Sequence, residues 1–133
     1  MIVKKIKKEE YNLAVKIYNE SFNKNTINIK LPLLGDLLGL YENNNLIGII
    51  QIDYINDIMD NKKYAIINNF CIKNEYRNKG YGNNFMNECI KYLKEKNIDK
   101  INMHSNKNRT YAHKIYKNNN FQIVDTILLN KDL

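Results

Sequence analysis

Tyr76-Arg77-Asn78-Lys79-Gly80-Tyr81-Gly82 decides how this chain is read. Glycine is scarce, 5 of 133 residues, yet two of the five stand one residue apart here. Ile and Phe crowd the residues before this stretch, and a helical pattern begins at Gly82. A strand, a basic turn and a helix N-terminus together can hold a phosphate. The turn frees backbone N–H groups, the helix dipole adds positive charge, and glycine lets the main chain come close. A bulky residue at Gly82 is therefore expected to block a phosphate and leave the fold intact.

Outward from the turn, Phe85, Met86, Cys89, Ile90 and Leu93 form an apolar stripe at helical spacing over residues 82–96. Asn97 ends that helix, residues 100–104 read as a strand, and residues 108–117 as a second late helix. Asn118-Asn119-Asn120 closes it, and residues 121–124 and 127–129 read as a final pair of strands. Before the turn, residues 64–72 are strand and 57–62 a turn. Residues 37–41 and 46–55 form a hairpin around Glu42-Asn43-Asn44-Asn45. Residues 23–34 are a polar loop or partial helix, 9–22 a helix and 3–7 a strand. The order describes one α/β or α+β domain over residues 1–133. Its sheet is antiparallel early, with a βαβ crossover through residues 64–72, 82–96 and 100–104.

The bulk properties narrow the class. A chain of this length fits one domain. Cys71 and Cys89 lie in apolar patterns without metal-ligand spacing, which suggests reduced core residues and a cytoplasmic protein. No apolar stretch is long enough for a membrane helix, and the first residues have no signal-peptide pattern. The net charge of +7 favours anionic ligands, but the lysines are dispersed. With no aromatic-basic motif or recognition helix, nucleic acid is not the expected partner.

Arg77-x-x-Gly80-x-Gly82 is neither a Walker A loop nor a full dinucleotide GxGxxG. In its strand–turn–helix setting it resembles the GNAT superfamily of acyl-CoA-dependent N-acyltransferases, which carries Arg/Gln-x-x-Gly-x-Gly/Ala between its fourth strand and the following helix. His104-Ser105, Arg109-x-x-Ala112-His113-x-x-Tyr116, Phe121 and Leu129-x-Lys131-x-Leu133 resemble one branch of it. Asn97 and Asn120 replace two family glycines at helix C-caps, where asparagine best tolerates the left-handed conformation. The fold implied is a mixed, mostly antiparallel central sheet flanked by helices.

The resemblance implies acetyl transfer from acetyl-CoA to a primary amine of a small molecule, peptide or protein by direct attack. The implied cofactor contacts are the main chain of Phe70, Cys71 and Ile72 for the pantetheine arm and thioester, and Arg77, Asn78, Lys79, Gly80, Tyr81, Gly82 and Asn83 for the pyrophosphate, with Asn108 completing the site. Tyr116 takes the family's place for protonating the leaving thiolate; a phenol with pKa about 10 can do so for a thiol near 8.5. Cys71 reads as a buried strand cysteine, not a nucleophile. Related sequences often place a glutamate base where this chain has Asn68, four positions before Ile72. The amine's proton then has His104, Glu42 or Asp53 as alternative destinations. His113 reads as structural, and Arg109 as either an anion ligand or one half of a surface ion pair. A homodimer is compatible with the family. The alternative function is a CoA-binding sensor or partner-binding module without efficient catalysis.

Overall fold

Apolar residues crowd both sides of Asn43-Asn44, and both asparagines have positive φ, 48° and 65°. That left-handed pair turns β2 (Asp36–Glu42) back along β3 (Asn45–Asp57) with the twist a hairpin needs. A computed structural model describes residues 1–133. Its remaining elements are β1 (Ile2–Lys5), a 3-10 turn (Lys8–Glu10), α1 (Tyr11–Ser21), β4 (Lys62–Ile72), a second 3-10 turn (Asn74–Tyr76), α2 (Tyr81–Glu95), β5 (Lys100–Met103) and α3 (Thr110–Asn118). The five strands lie in the order β1-β2-β3-β4-β5. All neighbours are antiparallel except β4 and β5, which α2 joins as the expected parallel crossover.

The two sheet faces carry separate cores. Leu38, Ile50, Ile67, Phe70 and Ile72 pack with Phe85, Met86 and Cys89 of α2 and Ile115 of α3. Ile6, Leu37, Tyr41, Ile49 and Cys71 pack with Ala14, Ile17 and Tyr18 of α1 on the other face. Both cysteines are free and buried. Asn97 and Asn120 have φ of 60° and 64°, the left-handed caps expected of them.

Of the two readings left open for residues 23–34 the loop holds, and one expectation, the final pair of strands, changes. Residues 23–35 form no helix; Ile27, Ile29 and Leu33 instead pack partly against the core beside α1. Residues 121–133 form no strands, and Ile123, Ile127 and Leu129 are largely exposed. Their apolar pattern suits a pleated surface, but a strand also needs a paired edge, and this segment has only the bond from Phe121 N–H back to the Tyr116 carbonyl of α3 and the local one from Thr126 N–H to the Val124 carbonyl.

Gly82 has a packing role that its sequence position does not reveal. A Cβ there would lie 2.4 Å from Ile115 Cδ1, so its bare face is what lets α3 seat on α2. The expectation of an undisturbed fold in a Gly82 variant is thereby corrected.

Asp36, 8% exposed, is the one buried charged residue. Burial alone would raise its pKa. Hydrogen bonds donated by Tyr54 and Tyr92 and an ion pair with Lys5 at 3.0 Å outweigh it and hold the carboxyl below its usual value. The sign follows: the carboxylate's contribution is complete above the unfolded pKa of about 4 and fades as pH falls through the lower folded value. Asp36→Asn should cost about 2 kcal/mol at neutral pH, with wild type and variant converging in urea melts below about pH 3. A gap independent of pH would remove Asp36 as its source. Gly82→Val should cost about 1–3 kcal/mol, and much less in an Ile115→Ala background; equal losses in both would mean that Ile115 is not what the new side chain meets.

Candidate functional site

The turn before α2 is built from two left-handed residues, Asn78 with φ 59° and Gly80 with φ 85°. Nothing crowds Gly80, so its backbone conformation is what calls for glycine. No side chain caps α2, and its first hydrogen bond from this end runs from Asn84 N–H to the Gly80 carbonyl at 3.2 Å. The N–H groups of Tyr81, Gly82 and Asn83 therefore begin the helix without an intrahelical acceptor. A cavity of about 400 Å³ next to this turn is lined by Asn74, Arg77, Asn78, Thr110, Tyr111 and Lys114. Lys79 is exposed and does not line it.

The sequence reading missed the α3 side of this cavity. Thr110 and Lys114 are four residues apart and Tyr111 and Lys114 three, so the helical spacing that defined the buried face of α3 also places them on a common polar one. Two cations, Arg77 and Lys114, thus approach an uncapped helix N-terminus from different elements.

β4 parts from β5 close by. Their pairing ends at Ile67↔Met103. Asn69, φ 53°, then takes up an extra residue where the register between β3 and β4 shifts, a bulge. Beyond it, the Phe70 carbonyl accepts a bond from Arg109 Nη2 at 3.0 Å, and the Ile72 carbonyl one from Arg77 Nε at 2.9 Å. Arg109 also lies over the Phe22 ring, 5.1 Å from its centroid. It makes no ion pair with a carboxylate, and its bond to Phe70 closes the open side of β4. Arg77 keeps further N–H donors after its bond to Ile72.

Cys71 lies between these two residues and opposite Ile49. Burial pushes its thiol up to about 11, against the pull of Ser21, Arg109 and Arg77. A thiol so held is not a nucleophile at neutral pH. Tyr116 packs its ring 6.1 Å from Phe70 and 6.1 Å from Phe121. Its phenol pKa is raised by burial, partly countered by Arg109 and Ser105, so it keeps its proton at neutral pH.

The other named residues are dispersed. His113 Nε2 bonds the Ser105 hydroxyl at 3.0 Å, the structural role expected of it. His104 is exposed beyond β5, and Asn108 is exposed in the turn before α3, its N–H bonded to Asn106 Oδ1. Glu42 sits 3.8 Å from the N-terminal amine. Asp53 accepts hydrogen bonds from Asn68 Nδ2 at 3.2 Å and Gln51 Nε2 at 3.5 Å, and Asn69 Nδ2 donates to Gln51 Oε1 at 2.9 Å.

Known proteins carry related folds. An aminoglycoside acetyltransferase from an uncultured soil metagenomic sample, solved with trehalose, superposes with a TM-score of 0.79 at 12% identity, over 98% of this chain and 96% of its own. The ribosomal-protein-alanine N-acetyltransferase of Brucella melitensis biovar Abortus 2308 gives 0.83 at 10% identity, over 100% of both chains. A predicted acetyltransferase from Clostridium acetobutylicum, solved with acetyl-CoA, gives 0.75 at 21% identity, over 98% of this chain and 95% of its own. At these identities the likeness is one of fold. No curated protein sequence shows significant similarity to the chain. The model of the acetyltransferase (GNAT) family, however, matches residues 5–121, nearly the whole chain, and the chain belongs to that family of acyltransferase enzymes.

Proposed function

We propose that the protein, acting as one domain over residues 1–133, moves an acetyl group from acetyl-CoA to a primary amine of a small molecule, peptide or protein by direct attack. One observation carries this reading: the uncapped N-terminus of α2 follows left-handed Gly80 in a turn whose Arg77 and Asn78 line a polar cavity, with Lys114 of α3 on its other wall. Three helix N–H groups and two cations suit a pyrophosphate and its neighbouring phosphate. GNAT enzymes generally use acetyl-CoA, and one structural neighbour was crystallised with it. Neighbours named for aminoglycoside and ribosomal-protein-alanine acetylation support an amine acceptor without choosing its class.

The residues divide the work. Asn78 and the N–H groups of Tyr81, Gly82 and Asn83 hold the phosphates, with Arg77 and Lys114 supplying charge. No strand pairs with Phe70–Ile72 on the β5 side, where an extended amide arm would take the strand's N–H groups while Arg109 and Arg77 hold its carbonyls. Acetyl-CoA supplies an electrophilic acyl carbon and a thiolate leaving group. Tyr116 holds a proton at Oη, kept there by burial and aligned by Phe70 and Phe121, ready for a departing thiolate.

Calorimetry tests the cofactor assignment. Acetyl-CoA should bind the wild type in the micromolar range, and Lys114→Ala, which removes an exposed side chain, should weaken it about tenfold without changing the melting temperature. No binding by the wild type would end the proposal. Tyr116→Phe should lower kcat about 100-fold while leaving acetyl-CoA affinity within twofold; unchanged kcat would make Tyr116 a packing residue only.

A further inference from the structure

A carboxylate that stands half-buried without a cation calls for explanation, and Asp53 is such a group. It lies on β3, in the sheet face that packs against α1, and its Oδ2 accepts from Asn68 and Gln51. Its Oδ1 lies against Gly35, where a Cβ would come within 2.9 Å. Neutral amides thus hold it from β3 and β4. The ion pairs of the structure involve Glu42 and Asp36, and no Lys, Arg or N-terminal nitrogen comes within 4.0 Å of Asp53. Asp36, on the neighbouring strand, is committed to Lys5, Lys96, Tyr54 and Tyr92.

Its position matters as much as its charge. Asn68 is the first residue beyond the last β4–β5 pair and immediately precedes the bulge at Asn69. Asp53 is therefore anchored beside the start of the opening between β4 and β5, on the α1 face of the sheet, while Phe70 and Tyr116 meet on the other face. Position 68 holds an amide, which cannot accept a proton from an ammonium. The neighbouring strand supplies a carboxylate, and the amide orients it.

The other candidates lack this combination. Glu42 is paired with the N-terminal amine. His104 is exposed and has no side-chain hydrogen bond to orient it. The second cavity, about 530 Å³, has Lys5 and Lys8 in its wall, the wrong sign for an ammonium.

We propose that Asp53, held by Asn68 and Gln51, is the subsite that binds the acceptor's ammonium group and takes its proton. The inference rests on the acetyltransferase reading above. In the step, one N–H bond of the ammonium breaks and its proton passes to the Asp53 carboxylate. The freed nitrogen lone pair forms the C–N bond to the acyl carbon as the C–S bond breaks. Tyr116 gives its proton to the thiolate sulfur and regains one from the nitrogen as the amide forms. Asp53 returns its proton to solvent. The sum is ammonium plus thioester giving amide, thiol and one proton, with no redox change.

Two measurements test it. In the first, ethylammonium is titrated into the protein alone at matched ionic strength, while NMR follows the side-chain amide signals of Asn68 and Gln51. Saturable shifts are expected in the wild type, none with ethanol, and at least a tenfold loss of affinity in Asp53→Asn. Absent shifts, or shifts that persist in the variant, overturn the subsite. In the second, Asp53→Asn is assayed with an amine that the wild type acetylates. Its kcat/KM should fall about 100-fold at neutral pH, acetyl-CoA affinity should stay within twofold, and the deficit should shrink as rising pH supplies neutral amine. Turnover within threefold of wild type, or a deficit constant with pH, overturns the base. A wild type that fails to bind acetyl-CoA would instead defeat the acetyltransferase reading, and the ammonium titration would still decide Asp53's affinity for a cation.

Discussion

β4 has β5 beside it for only four residues, and its main chain continues for five more. A backbone carbonyl left without a partner in a half-buried place costs about 1–3 kcal/mol. Two arginines meet that cost: Arg109 reaches Phe70 from the N-terminal edge of α3, and Arg77 reaches Ile72 from the turn before α2. Each bond fixes more than a carbonyl. Arg109 ties α3, and with it Tyr116 and Lys114, to the sheet. Arg77 ties the phosphate-type turn to the end of β4. The opening between the strands and the cavity at the helix end thus depend on the same pair of side chains. A guanidinium suits this place because it stays charged and has donors to spare.

The same economy appears in the turns. Eight asparagines, at positions 23, 43, 44, 61, 69, 78, 97 and 120, have positive φ, whereas only one glycine, Gly80, does. Most left-handed positions in this chain are therefore filled by the non-glycine residue that tolerates them best. That substitution explains what could be read from sequence. At 97 and 120 the asparagines follow helical stripes, so a C-cap was legible. At 43–44 they separate two apolar runs, so the hairpin was legible. At 69 the asparagine lies within an apolar strand pattern, where nothing marks one extra residue, and the bulge was not.

Contacts between distant elements were harder still to read. Gly82 was recognisable as special, but the sequence does not show that Ile115 sits over it, so the reason assigned to it was incomplete. Arg77 was recognised as a functional cation and Arg109 was left between an anion ligand and a surface ion pair, yet the bonds of both to β4 carbonyls depend on where β5 stops pairing. The strand pair expected over residues 121–129 failed for a related reason: alternation reports a preference for a surface, not the presence of one. The crossover from β4 through α2 to β5 was legible because its signals are local, a β run, a glycine turn and a 3.6-residue stripe in succession.

Net charge describes this site poorly. The chain is +7 overall, which by itself would favour any anion. Locally, the two ends of the candidate site have opposite character. Arg77 and Lys114 line the cavity at the α2 N-terminus, whereas Asp53 stands among amides on the other side of the β4 bulge. A donor with phosphates at one end and an acyl group at the other is matched by cations at its anionic end alone. An acceptor that arrives protonated is matched by the one carboxylate near the bulge that no cation neutralises. If Asn68 were a carboxylate as well, two like charges about 3 Å apart would repel each other across the site. The amide at position 68 avoids that conflict and instead donates to the single carboxylate beside it, so that an ammonium would meet one negative group and no repulsion between two.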